Sequence, residues 1–182
     1  MSDFLRIAAT VFVAISPAAV AVAAAKPGLR LQPRVLVLAA VIAMLAYAAA
    51  AAGANRLLDG IDIEPETFRV SAGLVMAVGG VFAVWSGSAG YGGALDSRWA
   101  ALFPLALPML VSPAGLAAVL SHSADGDAGA AIAAAAAVVV VAMVAAAFRA
   151  GRFAAADATA RFSGALLIAF AGAMIVDGVR AV

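Results

Sequence analysis

The sequence contains no cysteine, a single histidine and few charges: Asp, Glu, Lys and Arg make up 12% of its 182 residues, about half the share usual in a soluble domain. Without cysteine there is no disulfide framework, no thiolate nucleophile and no thiolate zinc site. Eleven Lys and Arg against ten Asp and Glu leave a formal net charge of +1. The basic excess that nucleic-acid binding needs is therefore missing, and no nucleic-acid partner is expected. The lone His122, followed by Asp125 and Asp127, is too sparse a set for a metal centre and reads as part of a solvated outer loop. Ser86 and Ser88 lack a histidine base near them in sequence, which argues against serine hydrolysis. No catalytic residue, metal or cofactor is expected. What the chain has in abundance is apolar surface, with 66% hydrophobic residues, more than a soluble monomer of this size can bury. The class that remains is an all-α integral membrane protein.

A hydrocarbon core about 30 Å thick takes roughly 20 apolar helical residues. Six windows free of Asp, Glu, Lys and Arg approach or exceed that length: 7–25, 35–55, 70–95, 99–124, 128–148 and 162–176. Short connections then leave one transmembrane domain over 1–182, a six-helix bundle, because lipid tolerates neither open sheet edges nor unpaired loops. The first window ends in Ala23-Ala24-Ala25, which resembles a signal cleavage site. Its length, Asp3 and Pro17 favour retention as the first span. Asp177 sits near the chain's end and reads as part of an interfacial Asp177-Gly178 turn rather than as an intramembrane proton carrier.

Orientation follows from cations in the short loops. Lys26, Arg30 and Arg34, then Arg98, then Arg149, Arg152 and Arg161 fall on one side, against Arg6, Arg56, Arg69 and Arg180 on the other. The second side also collects Asp59, Asp62, Glu64, Glu66, Asp125 and Asp127. The bias places both termini outside the cytoplasm, in the inner (plasma) membrane.

The chain also repeats itself. Ile15-Ser16-Pro17-Ala18 aligns with Val111-Ser112-Pro113-Ala114 at an offset of 96, and Arg69-Val70-Ser71 with Arg161-Phe162-Ser163 at an offset of 92. The repeats cover about 1–90 and 97–182. Each holds three spans, an odd number, so the second is inverted relative to the first, as in many secondary transporters. Gly73, Gly79, Gly80, Gly164 and Gly172 read as close-packing surfaces between spans.

Ser-Pro falls in the middle of spans 1 and 4. Proline has no N–H and clashes with the carbonyl four residues earlier, which strips the carbonyls of Val13 and Met109 of their donors. Serine is a favoured N-cap and proline a favoured first helical residue. Both spans are therefore expected to break there and restart as half-helices. Ser16, Pro17, Ala18, Ala19, Ser112, Pro113, Ala114 and Gly115 form the expected solute site, with the N–H groups of Ala18, Ala19, Ala114 and Gly115 turned into the break. A half-helix start carries about half a positive charge and attracts anionic groups without a buried cation. Pro104 and Pro108 predict a distorted first half of span 4.

Phe12 to Val20, Leu57 to Gly80, Phe103-Pro104-Leu105-Ala106-Leu107-Pro108 with Ser112-Pro113-Ala114-Gly115, and Arg161 to Gly178 together resemble the MarC family of six-span membrane proteins. The family's usual Asn-Pro and Gly-Pro are both Ser-Pro here. The resemblance implies transport of small neutral solutes such as amino acids. Two functions are therefore expected to compete: a secondary transporter or exporter of small polar or zwitterionic solutes, and a non-transporting membrane subunit or a flippase of a lipid-linked headgroup. The partners implied are a small solute and the lipid bilayer, and self-association into a homo-oligomer is compatible with both functions.

Overall fold

The computed structural model describes residues 3–24, 32–87, 106–107, 109–148 and 155–182. Seven α-helices occur among them, and no strand: α1 (Asp3–Ile15), α2 (Pro17–Ala24), α3 (Pro33–Gly60), α4 (Pro65–Ser86), α5 (Pro113–His122), α6 (Ala128–Ala147) and α7 (Ala155–Ala181). Four of them begin on proline, whose fixed φ suits the first helical turn and whose missing N–H would have had no intrahelical acceptor there. Among the described residues, five stretches are long and apolar enough to cross a membrane: Phe4–Val22, Pro33–Gly60, Pro65–Ser86, Pro113–Ala147 and Asp157–Ala181. Pro113–Ala147 is two helices. A π-type turn at Ser123–Asp127 separates α5 from α6, and Gly126 within it has φ +96°, a left-handed value that ends one helix and redirects the chain.

The bundle is apolar on both its inner and its outer faces. On α3 the buried positions Leu36, Ala39, Ala43, Tyr47, Ala51, Ala54 and Leu58 recur every three or four residues and face the other helices. Between them Val37, Leu38, Val41 and Leu45 point outward, and so do Val78, Phe82 and Trp85 on α4 and Val140, Val141 and Val144 on α6. Such a surface is stable against acyl chains rather than water.

Helices α4 and α7 make the most extensive helix pair. Each comes close to the other's backbone at glycine. A β-carbon on Gly80 would lie 2.8 Å from the Gly164 carbonyl oxygen, and one on Gly164 2.9 Å from that of Gly80. Gly73 and Gly178 fit equally tightly against α7 and α4. A β-carbon on Gly172, by contrast, would meet nothing within 4 Å, so this glycine is not the packing contact its sequence suggests.

Several expected boundaries shift. The α3 helix continues past Arg56 to Gly60, and α7 runs from Ala155 to Ala181, so both extend beyond their charge-free windows. Asp177 and Gly178 consequently lie inside α7 and form no turn; Asp177 pairs there with Arg6. The α4 helix stops at Gly87, whose φ of +51° is left-handed. Lys26, Arg30, Arg98, Arg149, Arg152, Pro104, Pro108 and the stretch 88–93 lie outside the described residues.

Candidate functional site

Both Ser-Pro sequences interrupt their spans, and the two interruptions meet. Pro17 opens α2 and Pro113 opens α5. The Ser112 hydroxyl donates across the gap to the carbonyl of Ala14 at 3.0 Å, and its oxygen accepts the N–H of Gly115 at 2.9 Å. With φ −79° and ψ 151°, Ser112 is the extended N-cap that its sequence predicts.

Ser16 is built differently. Its φ of +49° is left-handed, so its side chain is not disposed to cap α2. The Ala19 amide bonds instead to the Ser16 carbonyl at 2.9 Å. The buried Ser16 hydroxyl has no hydrogen-bond partner among the described residues. Two expectations change as a result. Ser16 breaks the helix through its backbone rather than capping with its side chain, and the amides of Ala19 and Gly115 are already engaged. The amides of Ala18 and Ala114 hold the second helical positions, where an N–H lacks an intrahelical acceptor.

The carbonyls exposed by the breaks find partners from other elements. Ala14 receives Ser112, and the carbonyl of Leu110 receives the hydroxyl of Tyr47 at 2.6 Å. Tyr47 comes from the middle of α3, is fully buried, and was not among the expected site residues. The available signal was a tyrosine deep in an apolar window, since a buried phenol needs a hydrogen-bond partner.

Gly115 is what admits that hydroxyl, because a β-carbon there would run into the Tyr47 Oη. Gly115→Ala is expected to lower the thermal midpoint in detergent through overpacking worth about 1–3 kcal/mol. Tyr47→Phe leaves the Leu110 carbonyl unpaired, which costs about 1–3 kcal/mol. The double variant should lose less than the sum, since removing the hydroxyl vacates the space the new methyl needs. Strictly additive losses would mean that the two residues do not meet.

Beside the breaks lies a cavity of about 620 Å³ bounded by α1, α4, α5 and α7. Ser16, Ser112, Pro113 and Ala114 line it, together with Gly79 and Leu167. Pro17, Ala18, Ala19 and Gly115 do not line it. Among the described residues, no Asp, Glu, Lys, Arg or His is part of its wall.

Charged groups gather at the two ends of the bundle. At one end Arg6 of α1 pairs with Asp177 of α7 at 2.7 Å, and Arg69 of α4 pairs with Asp125 of the π-type turn. His122 lies beside them, buried and with Nε2 unpartnered, and so belongs to the packed end of α5 rather than to a solvated loop. At the other end the Arg161 guanidinium donates to the carbonyl of Val84 at 2.7 Å and to Asp157 at 2.9 Å, which ties the start of α7 to the end of α4.

An all-helical bundle with apolar spans, lipid-facing flanks and a pair of facing helix breaks defines a polytopic integral membrane protein. The chain belongs to the MarC family of integral membrane proteins, whose family model matches residues 11–182. No curated protein and no solved structure matches it.

Proposed function

We propose that this protein is a secondary transporter or exporter of small polar or zwitterionic solutes such as neutral amino acids, which it binds at the two Ser-Pro breaks. The observation that carries the reading is that Ser16 and Ser112 line one cavity, with the Ser112 hydroxyl bonded to the Ala14 carbonyl two residues before Ser16. The ten residues of α5 span about 15 Å, half of a hydrocarbon core about 30 Å thick. That depth argues for a midplane site. The second-position amide of Ala114, on the cavity wall, lies at a half-helix start, whose partial positive charge suits a solute carboxylate.

The same reading takes the chain across the membrane six times as two inverted repeats. Arg6 near the start of α1 pairs with Asp177 near the end of α7, which favours an even number of crossings. The chain leaves α4 at the Arg161 end and arrives by α5 at the Arg69 end, which supports counting a fourth crossing between them. The sequence-equivalent Arg69 and Arg161 lie at opposite ends of the bundle, while the equivalent Ser16 and Ser112 meet between them. A two-fold axis in the membrane plane has both effects.

In the inner membrane, with both termini outside, reporters fused after Arg30 or Arg152 are expected to read cytoplasmic. Those fused at Asp62 or Asp125 should read external. The reverse pattern would overturn the orientation.

The test of function is counterflow of labelled alanine into proteoliposomes. Wild-type vesicles should exceed protein-free ones. Ser16→Ala should transport poorly yet melt within the small range of a neutral substitution, about 0.5 kcal/mol, because its hydroxyl has no partner in the protein to lose. Ser112→Ala should lose transport and also about 1 kcal/mol of stability, since it removes a cap. If wild-type vesicles carry no small zwitterion, the breaks serve packing and the protein is a membrane subunit of another kind.

A further inference from the structure

The wall of the cavity is asymmetric. Toward α1 and α7 it is closed by buried side chains, Val13, Ala14 and Leu167. Toward α4 it is rimmed by Leu74, Val78 and Phe82, which are 56%, 71% and 53% exposed. On a membrane-spanning helix that exposure is to acyl chains, so the cavity is continuous with the bilayer interior. From Ala72 to Val84 the α4 sequence holds no polar side chain. A zwitterion entering that way would shed its hydration with nothing to replace it, at a cost of several kcal/mol. A hydrocarbon chain entering that way costs little.

At its inner end the cavity holds one unused polar side chain. Both hydrogen bonds of the Ser112 hydroxyl are committed, to Ala14 and Gly115. The Ser16 hydroxyl is 94% buried by residue, lines the cavity and bonds to nothing. Unpaired buried hydroxyls are rare and call for an explanation. A hydroxyl donates and accepts, and the Ala114 amide, at the second position of α5, adds a donor. With no cationic side chain among the described residues of the wall, a doubly charged phosphate would lack a counter-charge there, whereas a carboxyl group, neutral or singly charged, needs only these donors.

We infer that the cavity takes a long-chain carboxylic acid directly from the bilayer, its head on the Ser16 hydroxyl and the start of α5, its chain passing out between Leu74, Val78 and Phe82. The inference shares Ser16 and Ser112 with the proposed transport site but does not require that the protein move amino acids. A second groove supplies an internal control. Between α3 and α6, about 680 Å³ in volume, it is lined among the described residues by apolar side chains alone, such as Val37, Met44, Val140 and Met143. It offers a chain the same lipid contact and a head nothing.

The experiment uses the full chain in phosphatidylcholine nanodiscs and a sixteen-carbon fatty acid carrying a photoreactive diazirine in its chain. Labelling is expected to saturate, to concentrate on α4 between Leu74 and Phe82, and to be displaced by palmitic acid but not by its methyl ester or by hexadecane. Ser16→Ala should raise the half-saturating concentration about tenfold, the worth of one hydrogen bond to a charged group. Val78→Trp, at a lipid-exposed position that leaves the core untouched, should block the mouth and lower labelling on α4 alone. Labelling that never saturates, or that falls equally on the α3/α6 groove, overturns the proposal. So does a half-saturating concentration unchanged in both variants. Failure of alanine counterflow alongside saturable labelling would refute the transport reading and leave this one standing.

Discussion

Pro17→Ala is expected to abolish solute transport while raising the thermal midpoint of the protein. Ser16 is held at φ +49° between Ile15 and Pro17, a conformation that costs a residue with a β-carbon about 1–2 kcal/mol. Proline enforces the break, since its ring excludes a helical residue before it and it has no N–H to give the Val13 carbonyl. Alanine removes both obstacles. The segments Asp3–Ile15 and Pro17–Ala24 should then fuse into one helix, regain the missing hydrogen bond and close the cavity wall at Ser16. Pro113→Ala should do less. There Ser112 still caps α5 and donates to Ala14, and Tyr47 still holds the Leu110 carbonyl, so the second break outlives its proline. Counterflow in proteoliposomes paired with melting in detergent checks the ranking. Equal activity in Pro17→Ala and the wild type would show that the break takes no part in solute binding.

Gly164→Leu is expected to be the most destabilising single change in the bundle, by more than about 3 kcal/mol, beyond the usual range for overpacking. At this position a β-carbon would already lie 2.9 Å from the Ala83 β-carbon, the Gly80 carbonyl oxygen and the Val84 amide nitrogen. Two of those three atoms are backbone and cannot swing aside. The α4/α7 interface would have to open, and with lipid as apolar as leucine, no hydrophobic drive would close it again. Gly172→Leu, on the same helix but facing open space, should melt close to the wild type. Size-exclusion profiles after graded heating would separate the two. Comparable melting of both variants would contradict the interface.

Those two glycines also mark where sequence ceases to inform. Both sit in the same apolar pattern of α7, and only the packing partner distinguishes them. The breaks themselves were legible, because proline's missing N–H is a covalent fact that no tertiary context repairs. The kind of break was not. The residue before a proline is normally extended, and Ser112 is, but Ser16 lies in the left-handed region instead. Nothing in Ile15-Ser16-Pro17 against Val111-Ser112-Pro113 foretells the difference. At the second break the Leu110 carbonyl is satisfied by Tyr47, a residue 63 positions away. His122 was misplaced for a related reason: flanking aspartates suggest water, yet Arg6, Arg69 and Asp177 come from three other helices to line the same pocket, and His122 itself is buried. Membrane class was the most legible property, because it rests on composition alone.

The pairing of Arg6 with Asp177 has a consequence for how the protein is made. The two residues are separated by 171 positions. At a synthesis rate of about 5–20 residues per second, the arginine waits roughly ten to thirty seconds before its partner leaves the ribosome. During that interval α1 resides in the membrane with an uncompensated cation at one end, while α4, α5 and α6, which it also touches, arrive before α7. The pair therefore forms after α4, α5 and α6 have been made. A chain truncated before Asp177 should linger with whatever insertion machinery shelters unpaired helices, and should be released only when the missing acid is restored.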